Sequence, residues 1–174
     1  MLLVMTALLL PAQSRAQEAI PEVQVKAAFV FNFIRFVEWP QGAFSSENGP
    51  MIVGVLGDDE FANKLGASLK DKKAHGRAFE VKKLTSITEA SECNVTFVAN
   101  SEARRATPLA DATKRKPILL IGESDDFLES GGVINFVKDE KQLRFDINPQ
   151  AAEDRKLVIS SHLLRLARKT KKAE

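Results

Sequence analysis

The sequence predicts an α/β fold, a three-layer α/β/α sandwich around a mostly parallel sheet, with a C-terminal antiparallel hairpin and a terminal helix. Short, continuous apolar runs such as Met51–Leu56 and Pro117–Ile121 are typical of strands that are buried on both faces. Segments with helical spacing of apolar residues separate these runs, which favours parallel pairing with helices on both faces. The last two extended runs, Gly131–Val137 and Leu143–Ile147, are joined by a polar link of hairpin length.

Residues 1–16 have the features of a secretory signal peptide. Leu2–Leu10 is an apolar core that is too short to span a bilayer, and Ser14–Ala16 places small residues at the two positions that a signal peptidase reads. A basic start is missing, so we expect the leader to be incomplete at its N-terminus. A buried N-terminal helix is the alternative, but the proline and polar residues after the apolar core disfavour it. We therefore expect cleavage near Ala16 and a periplasmic protein, residues 17–174, that forms a single domain.

Charge and cysteine content narrow the classes of protein to which this chain can belong. The 25 basic and 23 acidic residues leave a net charge of +2, which gives no reason to expect nucleic acid as a partner. The single cysteine, Cys93, cannot form an intramolecular disulfide, so the core must hold the fold. Because Cys93 lies just before an apolar strand, we predict a buried, unreactive thiol.

The run Lys26–Pro40 has helical length and is apolar on almost every side. Its polar residues Asn32, Arg35 and Glu38 are three apart and form one narrow stripe on a helix. The large side chains around that stripe, including Trp39, need cover, either from the domain's own core or from a second subunit or partner protein. Both arrangements are open at this stage, and the second one predicts a homodimer or a docking surface. The proline at the end of the run is expected to end the helix.

Between this helix and the hairpin, strands alternate with helical segments. The predicted strands are Met51–Leu56, Phe79–Leu84, Asn94–Ala99 and Pro117–Ile121. The predicted helical segments are one that carries Phe61, Leu65 and Leu69, one from about residue 101 to 114, and a short turn at 125–129.

The C-terminal hairpin is predicted to have one wholly apolar face. A two- or four-residue loop achieves this, whereas a three-residue loop would mix apolar and charged side chains. The predicted opposite pairs are Phe136 with Leu143, Ile134 with Phe145, and Asn135 with Arg144. The outer face, which carries the last pair, is either solvated or receives a ligand or partner.

The last segment, Leu157–Ala167, is predicted to start extended and to become a helix. Ser160 or Ser161 is expected to be its N-cap. The predicted buried face consists of Leu163, Leu166 and Ala167, and a basic end runs from Arg165 to Lys172.

Catalysis is disfavoured by the arrangement of the nucleophilic side chains. Ser160, Ser161 and His162 are adjacent at a helix start, so their side chains point in different directions, and no Gly-x-Ser-x-Gly elbow is present. Helix capping explains the serines more simply. Since His75, His162 and Cys93 are far apart in sequence, they do not have metal-ligand spacing. We expect no enzyme activity, no cofactor and no metal.

Acidic residues follow two of the predicted buried strands, in Gly57–Glu60 and Gly122–Asp126. Parallel sheets bind ligands at this edge, but carboxylates repel a phosphate. The acids either cap helices or form a divalent-cation pocket like that of receiver domains. Because the strand ending at Ala99–Ser101 lacks the aspartate that such a pocket needs, capping is favoured.

Two groups of residues are candidates for binding. The stripe Asn32, Arg35 and Glu38, together with Trp39, is predicted to contact a partner protein, and Arg165 to meet an acidic partner or an anionic membrane surface. The second group is predicted to form a small pocket for a carboxylate or amide ligand, with solvated side chains as the alternative. That group consists of Asn135, Arg144, Ser160 and His162.

Three stretches of the chain together resemble one family. Lys26–Pro40 resembles its opening helix, Gly131–Asn148 its Gly-Gly-Met-Ile-Asn-Phe hairpin, and Ile159–Ala167 its closing Ser-Ser-x-Leu-Leu-x-Leu-Ala helix. This is the YfiR-like (YfiR/HmsC) family of periplasmic proteins, and the resemblance extends over essentially the whole chain after the leader.

The resemblance implies a regulator that binds the periplasmic sensor part of an inner-membrane diguanylate cyclase and represses it. Repression lowers cyclic di-GMP and biofilm formation, and an outer-membrane lipoprotein is a further implied partner. Related domains also occur as sensory modules, so a small-molecule sensor that acts on another signalling partner is the alternative. Better-known members carry disulfide-forming cysteine pairs, whereas this chain has Cys93 alone, so redox control of the fold is not expected.

Overall fold

The computed structural model describes residues 20–140 and 142–171. The helices are α1 (Glu22–Phe36), α2 (Asp59–Leu69), α3 (Ile87–Ala90), α4 (Ala106–Ala112), α5 (Pro149–Glu153) and α6 (Ser161–Leu166), with a 3₁₀ helix at Asn100–Arg105. The strands are β1 (Val37–Glu38), β2 (Met51–Leu56), β3 (Lys73–Ala74), β4 (Arg77–Leu84), β5 (Val95–Val98), β6 (Leu119–Gly122), β7 (Ile134–Asp139), β8 (Gln142–Ile147), β9 (Val158–Ile159) and β10 (Lys169–Thr170). The predicted leader lies outside the described residues. Within them, no helix combines the length and the apolarity that crossing a membrane requires.

One eight-stranded sheet, in the order β10-β8-β7-β6-β5-β2-β4-β3, forms the middle layer. Strands β4, β2, β5, β6 and β7 are parallel, while β8 is antiparallel to β7 and β10 runs parallel to β8. The central order β4-β2-β5-β6-β7 is that of a doubly wound flavodoxin-like sheet. β1 and β9 form a separate antiparallel ladder.

Adjacent side chains of β5 point to opposite faces of the sheet, and on each face they contact a helix. The Phe97 ring contacts Phe61 of α2, with centroids 4.5 Å apart, whereas the neighbouring Thr96 donates a hydrogen bond to the Ala90 carbonyl of α3. α1 packs beside α2 on the first face, and α4 packs beside α3 on the second. The predicted three-layer α/β/α sandwich is confirmed.

The central elements agree closely with the sequence pattern. β2 has the predicted bounds, and β4 begins two residues before Phe79. The segment after β5 is not one α-helix as predicted: it begins as the 3₁₀ helix Asn100–Arg105, which Glu102 interrupts with a non-helical backbone conformation, and continues as the shorter α4. Cys93 is buried as predicted, and burial raises the pKa of its thiol to about 11.

α1 ends at Phe36, earlier than the proline-based prediction. Residues 37–38 pair with residues 158–159, and the Phe36 carbonyl accepts a hydrogen bond from the Ser160 N–H at 2.9 Å. This long-range pairing ends the helix before Pro40 does, so the predicted polar stripe is divided between a helix and a strand.

The domain itself covers most of α1. Val30, Phe33 and Ile34 are fully buried. The Phe33 ring contacts those of Phe136 and Phe145 on the hairpin, with centroids 5.5 and 4.8 Å apart. Of the two arrangements left open above, enclosure in the domain's own core is the one observed.

The register of the β7–β8 hairpin differs from the predicted one. The observed pairs are Phe136 with Phe145, Ile134 with Ile147, Asn135 with Asp146, Val137 with Arg144, and Lys138 with Leu143, so the three predicted pairs are wrong. Both registers have the same side chains on the apolar face, and alternation alone therefore does not distinguish them. The observed register places two phenylalanines opposite each other beneath α1. Packing against α1 therefore selects the register, and the sequence of the hairpin alone does not reveal it.

The predicted basic end of the last helix is instead an edge strand. α6 ends at Leu166 and the chain continues into β10. Arg168, the residue before β10, donates to the Asp146 carboxylate from Nε at 3.0 Å and from Nη2 at 2.6 Å. Leu163 is buried as predicted, but Leu166 is half exposed, contrary to the prediction. Leu166 stays at the surface because the chain turns towards β8 immediately after it.

Candidate functional site

Several of the predicted site residues come together where α1 ends. Arg35 lies in the last turn of α1, one turn after the exposed Asn32, and Glu38 lies in β1. Ser160, His162 and Arg165 come from the α6 end of the chain. We call this region the β1–β9 surface, and it consists of Arg35, Phe36, Glu38, Val158, Ser160, His162, Arg165 and Leu166.

The β1–β9 surface exists because segments from opposite ends of the chain pair. Glu38 is the ladder partner of Val158, and Phe36 accepts the Ser160 N–H. Because residues directly opposite each other in a ladder share a face, Glu38 and Val158 point to the same side. His162 packs on Phe36, the last residue of α1, with ring centroids 5.0 Å apart, which brings the start of α6 against the end of α1.

Two large apolar side chains are exposed on this surface. Val158 is 60% exposed and Leu166 is 50% exposed, and among the residues that the structure describes only Ile20 joins them as an exposed large hydrophobic residue. Leu166 is four residues after His162 on α6 and therefore lies on the same helix face. Grouped exposed apolar side chains are typical of protein-binding surfaces.

Charged side chains border these apolar residues. The Arg35 guanidinium lies 5.7 Å from the Phe31 ring centroid and 5.8 Å from that of Phe36, which stacks it beside the apolar part of the surface. Arg165 and Glu38 are exposed. Two arginines against one carboxylate give the surface a positive rim, which favours a partner with acidic residues.

Ser160 acts as a helix cap. Its Oγ accepts a hydrogen bond from the Leu163 N–H at 3.2 Å, which confirms the predicted N-cap. The His162 ring packs on Phe36 rather than against the serine. Residues 20–140 and 142–171 contain no group of three or more His, Cys, Asp or Glu side chains that could hold a metal ion.

The remaining predicted residues lie elsewhere. The Trp39 ring packs near His75 and Phe44, with centroids 5.8 and 6.3 Å away. Asn135 is buried and donates a hydrogen bond to the Ser124 carbonyl at 2.9 Å.

The four residues of the predicted ligand pocket do not come together. The aromatic pair of the hairpin faces α1, so Asn135 and Arg144, which alternate with it, point to the opposite face of the sheet. His162 packs on α1 itself. The sheet register therefore separates the hairpin pair from Ser160 and His162.

The carboxyl edge of the parallel strands is closed at the point where the strand order reverses. Asp58 caps α2 by accepting the Phe61 N–H at 2.8 Å, as predicted. Gly57 has a φ of +87°, and a Cβ there would overlap the side chains of Ser101 and Glu102. The 3₁₀ helix therefore fills the crevice between β2 and β5 where ligands of such sheets bind.

Glu123 meets the first N–H of the 3₁₀ helix, in line with the predicted capping role of these acids, and it also ties α1 to the sheet. Its carboxylate accepts hydrogen bonds from the Lys26 ammonium at 2.6 Å and from the Asn100 N–H at 3.1 Å. Burial by itself would lower the pKa of Lys26, but the hydrogen bond to Glu123, aided by Glu22, outweighs it and raises that pKa. A cavity of about 400 Å³ lies beside this pair, and Phe136 is among its lining residues.

The chain matches a family model described as YfiR/HmsC-like over residues 23–168, which is most of its length. The chain belongs to the YfiR/HmsC-like family. The resemblance based on three motifs is thereby confirmed. Members of this family are periplasmic regulators of diguanylate cyclase signalling and are not enzymes.

A solved structure similar to this YfiR/HmsC-like chain is that of a conserved domain protein from Vibrio cholerae O1 biovar El Tor. The two chains are 15% identical with a TM-score of 0.60, so the likeness concerns the fold. The match covers 86% of this chain and 60% of that one, so this chain spans less than two thirds of that structure's length. No curated protein matches the chain.

Sequence reasoning missed the apolar part of the β1–β9 surface, namely Phe36, Val158 and Leu166. The sequence offered one signal for Val158, because adjacent residues of the extended run Leu157–Ile159 point to opposite sides. Since Leu157 is buried, Val158 faces outward. Leu166 gave no such signal, because its exposure depends on β10.

Proposed function

We propose that this YfiR/HmsC-like protein represses an inner-membrane diguanylate cyclase by binding the periplasmic sensor region of that enzyme. Repression lowers cyclic di-GMP and with it biofilm formation. The family supports the signalling process, and the β1–β9 surface supports binding as the mechanism. The observation that carries the proposal is that the exposed residues Val158, Leu166, Arg35 and Arg165 belong to the two chain segments that the β1–β9 ladder and the Phe36–His162 contact bring together.

The composition of the β1–β9 surface suits a protein partner. Full burial of a large aliphatic side chain contributes about 1.5–3 kcal/mol, so covering Val158 and Leu166 provides a substantial part of a specific interaction. Arginines beside an apolar centre are frequent among the residues that dominate binding energy. We therefore expect the cyclase to present an apolar segment flanked by acidic residues.

The proposal includes the compartment and the domain limits predicted from the sequence. We propose that the protein is exported, that its leader is cleaved near Ala16, and that residues 17–174 form one domain. The β1–β9 surface then lies in the same compartment as the sensor region. An outer-membrane lipoprotein is part of the proposal as a second partner.

Deletion of the gene, followed by complementation, tests the proposed function. We expect deletion to raise cellular cyclic di-GMP and wild-type protein to restore the lower level. The double variant V158D/L166D should fail to restore it, while Ile20→Asp, which changes the other exposed large hydrophobic residue, should restore it fully. Immunoblots of the periplasmic fraction show whether all variants are present in equal amount. An unchanged nucleotide level after deletion, or full complementation by V158D/L166D, contradicts the proposal.

A second candidate function is a small-molecule sensor, and the cavity of about 400 Å³ beside Lys26 and Glu123 favours it. The cavity is also lined by Arg168 and Leu143, so a ligand with charged and apolar parts fits its chemistry. A thermal-shift screen against charged periplasmic metabolites tests it. A ligand that raises the Tm of the wild type with concentration, but not that of Glu123→Gln, supports the sensor. No shift with any metabolite contradicts it.

A further inference from the structure

Arg155, which follows α5, is buried with a guanidinium that only backbone groups contact. The residue is 3% exposed and is the only buried basic residue in the part of the chain that the structure describes. Its Nη1 donates a hydrogen bond to the Ala151 carbonyl at 3.0 Å, and its Nη2 donates one to the Ala110 carbonyl at 3.4 Å. The Nε–H is buried and has no hydrogen-bond partner. Buried charges are normally paired, so this guanidinium is suited to receive an anion.

The surroundings of Arg155 compensate its charge only in part. Ala110 lies near the end of α4 and Ala151 lies in the short α5, so these helices provide partial negative charge and no full anion. Burial lowers the pKa of the Arg155 guanidinium, and the nearby Asp154 carboxylate does not fully offset this. At Arg168, by contrast, the paired carboxylate of β8 raises the arginine pKa. Arg155 lacks the kind of partner that Arg168 has.

A cavity of about 290 Å³ lies against Arg155. α4, α5 and the loop before β7 form its walls, and the ammonium-bearing residues Lys114 and Lys171 also line it. Thr107 and Ser130 add hydroxyl groups that can donate hydrogen bonds. This volume is at the lower end of the range for ligand pockets, so the cavity suits a small molecule.

Three carboxylates also line the cavity, but they lie at its exposed rim. Asp111, Glu129 and Asp154 are all exposed. Asp154 accepts a hydrogen bond from the Gln150 side chain at 3.0 Å, and Glu129 lies 4.0 Å from the Lys171 ammonium. Water and salt screen exposed charges far more than buried ones, so the buried guanidinium contributes most to the potential inside the cavity.

We propose that this cavity is a binding site for a small anion that carries a carboxylate or phosphate group. The anionic oxygen accepts the Arg155 Nε–H, and the ammonium groups of Lys114 and Lys171 lie around the ligand. Guanidinium and ammonium groups are the donors that proteins use for both kinds of anion. The inference does not depend on the proposed function, and the site has different lining residues from the cavity beside Lys26 and Glu123.

Nuclear magnetic resonance tests the contact at Arg155 directly. The purified protein, residues 17–174, is titrated with sodium phosphate and separately with sodium succinate, at an ionic strength held constant with sodium chloride. The Nε–H peak of Arg155 in proton–nitrogen correlation spectra is identified by its loss in Arg155→Lys, which keeps the positive charge. We expect this peak to shift saturably with one or both anions, whereas an arginine with a purely structural role would give an unchanged peak.

The exposed lysines of the cavity provide variants that leave the core intact. Lys114→Gln and Lys171→Gln should each raise the Kd for the anion about threefold or more, because each removes a positive charge from the cavity wall. Lys64→Gln removes the same charge from an exposed position of α2, on the other face of the sheet, and should leave the Kd unchanged. Circular dichroism checks that each variant is folded.

The two titrations also identify the ligand chemistry. A response to phosphate alone identifies a phosphate ligand, and a response to succinate alone identifies a carboxylate. An Arg155 peak that responds to neither anion up to about 10 mM overturns the proposal. So do Kd values that are equal in the wild type and in both lysine variants of the cavity.

Discussion

The parallel centre of the sheet and the assembly of β1, β9 and α6 are held by different kinds of interaction. β2, β5 and β6 are buried almost throughout, and each is a continuous apolar run that its own local sequence signals. The ladder between β1 and β9 instead joins opposite ends of the chain, with Glu38 beside Val158. The comparison shows that local apolar patterns build the core, whereas long-range pairing creates the exposed surface that we propose for binding.

The largest effect is expected in the core, at Phe33. Phe33→Ala removes a fully buried ring that contacts the hairpin, so the free energy of unfolding should fall by about 3–5 kcal/mol in urea denaturation. The neighbouring Asn32→Ala changes an exposed side chain and should shift it by less than about 0.5 kcal/mol. Equal shifts for the two variants would mean that α1 is not part of the core.

The next largest effect concerns the ion pair that holds β10. The Asp146 carboxylate accepts hydrogen bonds from Arg168 and from the Lys169 N–H, and its side chain is only 12% exposed. Asp146→Asn should lower the free energy of unfolding by about 1.5–3 kcal/mol. Glu129→Gln removes the exposed, 4.0 Å pair with Lys171 and should cost less than about 0.5 kcal/mol. Chemical denaturation of both variants checks this, and a loss at Glu129 as large as that at Asp146 contradicts it.

A smaller effect is expected at the N-cap of α6. Ser160→Ala removes the hydroxyl that accepts the Leu163 N–H and should lower the free energy of unfolding by about 1 kcal/mol. Ser161→Ala leaves that hydrogen bond in place and should have little effect. Thermal denaturation distinguishes the two variants, and the reverse order would place the cap at Ser161.

The smallest effect is a pH dependence at Lys26. Because the folded state raises the pKa of Lys26, its contribution to stability is fully present below the ordinary lysine value of 10.5 and is lost as the pH rises through the folded-state value. The side chains of Lys26 and Glu123 are only 19% and 18% exposed, but the desolvation of the ammonium offsets part of the gain, so we expect a modest contribution of less than about 1 kcal/mol. Between neutral and strongly alkaline pH, the free energy of unfolding of Lys26→Met should therefore fall by less than that of the wild type. Identical alkaline curves in denaturant titrations would contradict this.

The sequence predicts the layers of the fold well because the signals for them are local. The bounds of β2 and the burial of Phe61 follow from continuous runs and helical spacing. The end of α1 could not be predicted from Pro40, since the helix is ended by pairing with residues 158–159. The hairpin register likewise depends on Phe33, a residue of another element.

The candidate site was predictable in its polar residues and not in its apolar ones. Arg35 and Glu38 were predicted for a partner surface and His162 for a ligand pocket. Arg35 and His162 both contact the Phe36 ring, and Glu38 pairs with Val158, because the segments that carry these residues pair at their ends. Leu166 was expected in the core because the helix was extended beyond its true end. Its exposure follows from β10, which no local pattern indicates.

The most direct test of the central claim is a binding measurement between purified residues 17–174 and the periplasmic region of an inner-membrane diguanylate cyclase from the same genome. Isothermal titration calorimetry should give the same Kd for the wild type and Ile20→Asp. For V158D/L166D the Kd should increase more than about tenfold, because two exposed aliphatic residues become charged at the contact. Equal affinity for all three proteins, or no binding by the wild type to any such cyclase, would contradict the account.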